Sequence, residues 1–517
     1  MKQKTWIISA LMCAMVIMVC LGVLHLLKEM TENNAPSGTV AEESTDHTEP
    51  EIDFAEEEET KEDIAETGPE EEESDVPVER EEGYYGWKQE LPQIFPSVPE
   101  EVPYEPPRLI LATDLHYQSA QADDGGAAFQ LFVERGDGKV VEYLPELLEA
   151  FMDQVIEEHP SALVLSGDIT MNGEKINHEE LARGLMRVQD AGIPVLIVPG
   201  NHDINNPHAA VYFGEEKAET DPVTPEEFYN IYHMYGYDQA ISRDDASLSY
   251  VYQLDERNRL LMLDTCQYEP KNMVEGQLKV ETFQWADEQL KKAKEDGMNV
   301  LPIGHHNLLA QSRMYTTQCA MNNNGDVIEL FQKYELPLYL SGHLHVQRIR
   351  KHKAEPGAAD DSYGIMEIVT DALSIPPCQY ALLEWKRDGS MEYSTKAVDV
   401  SAWAARTGSQ NPDLLDFEGW SERYIQKLII DQIRGVVKNL GNDVEHSMAE
   451  VYASVYIDYY AGRRIDAKGI RSSKGYRWWE RNMPDSYLLK ELDAMIDDSD
   501  RDNNYMLLPE VNAAAEE

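Results

Sequence analysis

Short apolar runs bounded by polar turns recur through the middle of the chain, and helical periodicity fills the gaps between them. Runs at 108–112, 162–166 and 194–198 read as buried strands, with helix-period patterning over 143–158 and 178–189 between them. This β-α-β-α-β order predicts strand carboxyl ends gathered along one sheet edge, where open α/β sheets bind ligands. The pattern then repeats, with strands at 260–263, 300–303 and 336–340 and helices at 281–295 and 327–334. Strands at 380–386 and 391–398 complete this part. Beyond residue 400 the character turns helical. Residues 424–440 carry Ile425, Leu428, Ile429, Ile433, Val436, Val437 and Leu440 at the spacing of one helix face. A second helix at 444–460 bears Tyr452, Tyr456, Tyr459 and Tyr460, and an aromatic run at 476–479 and a helix near 488–496 follow. The tyrosine stripe is read as core or interface in preference to a platform for a nucleobase.

The first hundred residues follow a different rule. Residues 6–27 form an uncharged apolar run, long enough to cross a hydrocarbon layer of about 30 Å. Lys2 and Lys4 precede it and a single Lys28 follows, a bias that puts the N-terminus in the cytoplasm and the bulk of the chain outside. The run lacks the short apolar region and small-x-small site of a cleavable signal, so residues 1–30 are expected to be a signal anchor. Residues 31–105 are rich in Glu, Thr, Ser and Pro, too polar to offset the entropy of ordering, and read as an extended spacer. The expected organisation is therefore an anchor (1–30), an acidic linker (31–105), a catalytic domain (106–400) and a C-terminal helical domain (401–517).

Charge narrows the partners. The formal net charge is −52 over 517 residues, which disfavours duplex nucleic acid and anionic membrane surfaces as ligands. Much of it is local, with 21 acidic against two basic residues between Glu42 and Glu82. Cys266, Cys319 and Cys378 are the three cysteines outside the apolar run, with neither disulfide-framework nor zinc-finger spacing, and are expected as buried thiols.

The candidate chemistry lies at the strand ends. The first strand runs into Thr113-Asp114-Leu115-His116, where Asp114 and His116 share a side in extended geometry. Gly167-Asp168 ends the second, and Gly200-Asn201-His202-Asp203 ends the third. Gly304-His305-His306-Asn307 and Ser341-Gly342-His343-Leu344-His345 end strands of the second half. Singly, each motif is more often structural than functional. Five in succession are not a chance pattern, because Asn, His and Asp are costly to bury without partners.

In this order, D-x-H, GD, GNHD, GHH and GHxH over residues 108–399 resemble the calcineurin-like metallophosphoesterase superfamily. The phrases ATDLHY, SGDIT, NGEK, PGNHDINNP and GHHNLL, with the Asp123-Asp124-Gly125-Gly126 insertion (read as a surface turn), are similar to bacterial exported relatives of class III cyclic nucleotide phosphodiesterases. The resemblance implies an α/β fold: a two-sheet β-sandwich flanked by helices, with a small C-terminal helical domain. It implies two divalent metal ions, one held by Asp114, His116 and His345. The other would be held by Asn201, His305 and His343, with Asp168 bridging. Mixed imidazole, amide and carboxylate donors suit Mn, Fe or Zn. His202 would stabilise the phosphoryl group or protonate the leaving oxygen, and Asp203 would orient it or serve structurally. His306 is expected to support the ligands from behind or to face substrate. Asn307 stands where proline is frequent, which bears on the loop's shape. The implied activity is hydrolysis of a small-molecule phosphodiester by metal-activated water, in a membrane-anchored chain with its catalytic domain outside the cell. A phosphomonoester or cell-envelope phosphoester is the alternative. A non-catalytic scaffold is disfavoured because all seven ligands are present.

Overall fold

Alternating side-chain direction along the strands decides how this chain stacks. In the computed structural model, which describes residues 104–313, 319–352 and 364–508, Leu260 and Met262 join one hydrophobic cluster while Leu261 and Leu263 join another. Leu338 and Leu340 face inward in the same way and Tyr339 outward, so a single strand feeds two cores.

In chain order the strands are β1 (Arg108–Ala112), β2 (Ala162–Ser166), β3 (Val195–Val198), β4 (Ala210–Phe213) and β5 (Glu216–Glu219). There follow β6 (Ser242–Arg243), β7 (Tyr250–Gln253), β8 (Asn258–Leu263), β9 (Asn299–Gly304) and β10 (Leu338–Ser341). The last are β11 (Arg348–Lys351), β12 (Met366–Val369), β13 (Gln379–Trp385), β14 (Met391–Ala397) and β15 (Tyr505–Leu508). One sheet runs β15-β14-β13-β1-β2-β3 and the other β11-β12-β10-β9-β8-β7-β6, with β4 and β5 as a separate hairpin. β1, β2 and β3 are parallel, as are β8, β9, β10 and β12, so both sheets direct strand carboxyl ends to a common edge. The largest core lies between the sheets. The helices Leu144–Glu158 and Lys175–Asp190 add Phe151, Val155, Leu181 and Leu185 to it. Val280–Glu295 and Asn324–Lys333 cover the outer face of the second sheet. This is the two-sheet sandwich flanked by helices.

The helices beyond residue 400 form a third cluster around Ile429, Ile433, Tyr452 and Trp479. The helix predicted over 424–440 spans Phe417–Val436. It starts earlier because Phe417 and Trp420 pack on Tyr143, and it ends before Asn439 and Gly441, both at positive φ. The tyrosines of Asn442–Tyr460 lie buried in this cluster. The chain then returns to the catalytic sheet, where β15 pairs antiparallel with β14 (Tyr393 opposite Met506). Residues 105–508 accordingly fall in one compact unit. β15 escaped the sequence reading because Tyr505 and Leu507 are exposed and its pairing is made by backbone.

Cys266, Cys319 and Cys378 are free and buried. The anchor expected at 6–27 and the spacer at 31–105 lie outside the described residues, apart from the spacer's last two. Among the described residues no helix is long and apolar enough to cross a membrane.

Glu367 on β12 shapes the loop after β9. Its carboxylate accepts from the amides of Leu308 (2.9 Å) and Leu309 (2.6 Å), from Gln311 Nε2 (2.6 Å) and from Ser341 Oγ (2.6 Å). Asn307 adds what proline would lack, an amide that donates to Cys319 O and a side chain that donates to Ser341 Oγ and Gly342 O. Glu367→Gln turns an NH2 group towards donors, so stability should fall by about 1–3 kcal/mol, read from denaturant unfolding at fixed pH.

Candidate metal centre

The loops that follow β1, β2, β3, β9 and β10 converge, and the backbone pays for the convergence in strain. Asp114 (φ 53°), His116 (φ 45°), Asp168 (φ 48°), His343 (φ 72°) and His345 (φ 56°) all adopt left-handed conformations. Such conformations cost non-glycine residues roughly 1–3 kcal/mol each and persist where the surroundings over-determine them. Here backbone hydrogen bonds between loops do so. Asp114 N donates to Gly167 O (3.0 Å), His116 N to Asp168 O (2.9 Å) and Gly342 N to His305 O (3.0 Å). Gly200 is needed for approach, since a Cβ there would lie 2.1 Å from Asp168 Oδ1.

The structure brings the seven expected ligands together in two adjoining groups. In the first, His345 Nε2 lies 3.2 Å from Asp114 Oδ1 and 3.0 Å from His116 Nε2. His116 Nε2 is 4.0 Å from Asp168 Oδ2, and the ligand atoms of these four residues lie within 4.8 Å of one another. In the second, His305 Nε2 is 3.2 Å from Asp168 Oδ2 and 3.2 Å from Asn201 Oδ1. The rings of His305 and His343 sit 5.2 Å apart, centroid to centroid. Asp168 Oδ2 therefore faces both groups.

These donors fit a pair of divalent cations. Asp114 Oδ1 is buried and receives no hydrogen bond, while two imidazole nitrogens point into the space beside it. A buried carboxylate oxygen without a donor calls for a cation. Ring orientation agrees. His305 Nδ1 is committed to Ser166 O (2.9 Å), which leaves Nε2 for the centre, the arrangement typical of metal-bound histidines.

His306 stands apart from its neighbour. It clusters with His305 and His343, yet its Nδ1 meets Thr265 Oγ1 (2.8 Å) and its Nε2 meets Val274 O (2.9 Å). Both nitrogens are thus taken by protein, and His306 holds the loop that presents His305.

The two proposed catalytic residues separate in the same way. His202 keeps Nδ1 on Met171 O (2.7 Å) and Asn172 Oδ1 (3.2 Å), with Nε2 4.0 Å from Asp168 Oδ2. Of the two roles expected for Asp203, orienting that ring or serving structurally, the contacts match the second. Its oxygens accept from the amides of Gly200 (2.8 Å), Ile169 (3.2 Å) and Thr170 (2.9 Å) and from Thr170 Oγ1 (2.9 Å). Its work is to tie the third loop to the second. Met171 O and Asn172, which sequence reasoning missed, take the orienting contacts.

Electrostatics follow from burial without water. Burial disfavours every charge here, but the histidines around Asp168, His305 first, hold its carboxyl well below the usual range. Burial likewise works against a charged His305, and the carboxylates of Asp168 and Asp114 outweigh it, lifting the imidazole to about 9. His116 goes the other way. Burial, with Lys139 and His202 nearby, keeps it neutral and its lone pair free.

Asp137 and Lys139 were also missed. Both are buried, and Asp137 Oδ2 stands 3.5 Å from His345 Nδ1. A Gly-Asp-Gly-Lys stretch reads as an ordinary surface turn, so no sequence signal marked it.

The geometry defines a class: a β-sandwich whose strand ends carry two adjoining groups of residues that could hold metal ions. Residues 107–347 match the calcineurin-like phosphoesterase family. Residues 399–502 match the C-terminal domain of cyclic nucleotide phosphodiesterase. Its place is thus among metal-dependent phosphoric ester hydrolases. Solved structures similar to it include a dimetal phosphatase from Danio rerio, at 16% identity and TM-score 0.43, covering 57% of this chain and 97% of that one. A purple acid phosphatase from yellow lupin seeds is another, at 12% identity and TM-score 0.39, covering 57% of this chain and 52% of the other. No curated protein matches the chain.

Metal binding requires His305 to be neutral. Because its imidazole is raised from 6.5 to about 9, affinity for Mn2+ should climb with pH across that window, with protons released on binding. Calorimetry in buffers of different ionisation enthalpy reads both effects, and a flat profile would contradict the assignment. Asn201→Ala should lower bound metal from two ions to one by elemental analysis.

Proposed function

We propose that this chain hydrolyses a phosphodiester of the cyclic-nucleotide kind, with its catalytic part tethered outside the membrane by residues 6–27. The observation that carries the diester reading is the succession of the two family matches. The segment similar to the C-terminal domain of cyclic nucleotide phosphodiesterase packs directly beside the metal ligands.

Two divalent cations held in such a centre neutralise phosphoryl oxygens and make water nucleophilic near neutral pH. The protein's own groups do the rest. Asp168 supplies one carboxylate to both groups of ligands and ties its other oxygen to the amide of His202 (2.7 Å). That bond sets the position of the His202 backbone relative to the centre. Met171 O accepts from His202 Nδ1, so a proton gained or released by this ring moves at Nε2. Nε2 lies on the Asp168 side, suited to hand a proton to the departing oxygen. The left-handed loops bring the Asn, His and Asp donors to one place.

Purified full-length protein, loaded with Mn2+, should turn over bis-p-nitrophenyl phosphate and a 3′,5′-cyclic nucleotide faster than p-nitrophenyl phosphate. A preference for the monoester would instead support the phosphomonoesterase or envelope-phosphoester reading. Asp168→Ala or thorough chelation should abolish turnover, and full activity in either case would refute the centre. His202→Ala should slow turnover about 100-fold with metal content unchanged; equal loss of metal in His202→Ala and Asn201→Ala would contradict this division of labour. On intact cells, an impermeant protease should degrade the catalytic part; protection would overturn the outward orientation.

A further inference from the structure

The loop between the helix Ala127–Glu134 and Val140 is an unusual place to bury charge. Asp137 is 4% and Lys139 6% exposed, and the two side chains pair directly. The same Asp137 oxygen that meets Lys139 Nζ lies 3.5 Å from Nδ1 of His345, whose Nε2 faces Asp114. A carboxylate behind a histidine fixes its tautomer and ring direction and raises its basicity as a ligand.

The helix Phe417–Val436 braces this loop. Tyr424 OH donates to Lys139 O (3.0 Å) and Gln432 Nε2 to Gly136 O (3.3 Å). Gly138, at φ 101°, has Ile425 Cδ1 where a side chain would stand, 2.2 Å from an ideal Cβ. Tyr424, Ile425 and Gln432 all belong to the helix Phe417–Val436. His345 is gripped from the other side as well. Leu344 and Val346, which flank it, pack into the cluster built by the C-terminal helices, and Gln347 N donates to Tyr460 O (2.9 Å).

We infer that the C-terminal helical segment is a working part of the metal centre: it presses the 136–139 loop into place so that Asp137 acts as a positioning residue for His345. The segment thereby couples its own folding to the affinity of the site that Asp114, His116 and His345 form. This rests on the dinuclear reading above and adds to it a part that lies outside the phosphoesterase match.

The test uses full-length protein and Mn2+ titration by calorimetry, with the absorption spectrum of the Co2+-loaded protein as a second readout. Asp137→Ala should weaken one of two Mn2+ sites by about 10- to 100-fold and shift the Co2+ bands, and Asp137→Asn should recover part of the loss. Tyr424→Phe removes one hydroxyl some distance from the ligands. It should weaken the same site to a smaller degree, with an unfolding midpoint of the metal-free protein close to that of the wild type. If Asp137→Asn and Tyr424→Phe both bind two Mn2+ with wild-type affinity and spectrum, the inference is overturned while the centre stands. Failure of the wild type to bind Mn2+ at all would overturn the dinuclear reading and this inference together.

Discussion

Two carboxylates, Asp114 and Asp168, are sealed beneath the meeting point of five loops, and each divides its oxygens between two tasks. Asp114 Oδ2 accepts from Thr113 Oγ1 and from the amide of His343, and Asp168 Oδ1 from the amide of His202. Those bonds shape the loops. The remaining oxygens, Asp114 Oδ1 and Asp168 Oδ2, face imidazoles. An ionised carboxylate in such surroundings must be paired. The two rings of His305 and His116 depart from their ordinary values in opposite directions: against burial, Asp168 and Asp114 raise the His305 imidazole, whereas burial, with Lys139 and His202, lowers that of His116.

The same demand explains the strained backbone. Placing donors from five loops within a few ångströms of one another forces several residues into left-handed conformations, each of which disfavours folding. The sandwich offsets this by making each loop the template for the next. The first loop hydrogen-bonds to the second, Asp203 binds the third to the second, and the backbone of the β10 loop bonds to that of the β9 loop. The sheets behind them are close-packed and supply the rigidity. A site of this kind is assembled cooperatively, and its precision is a property of the whole edge.

The helices after residue 400 belong to that assembly. They pack against the flanks of His345, return β15 to the first sheet, and buttress the loop that carries Asp137. A boundary near residue 400 drawn from the change of periodicity is real as a change of secondary structure. It does not separate a catalytic body from an appendage, because buried contacts cross it in several places.

The sequence by itself determined the element order and the chemistry at the strand ends. Apolar runs and helical periodicity are local signals, so β1, β2, β3, β8, β9, β13 and β14 lie within a residue or two of where the pattern puts them. Asp114, His116, Asp168, Asn201, His305, His343 and His345 were legible because each directly follows such a run. Tertiary structure alone decided the rest. It used both nitrogens of His306 for the loop, turned Asp203 towards backbone amides, and gave the orientation of His202 to a main-chain carbonyl that no sequence pattern distinguishes. It also placed Asp137 behind His345, from more than 200 residues away in the chain. Which donor meets which acceptor across loops depends on distances that are set only when both sheets and the C-terminal helices have packed.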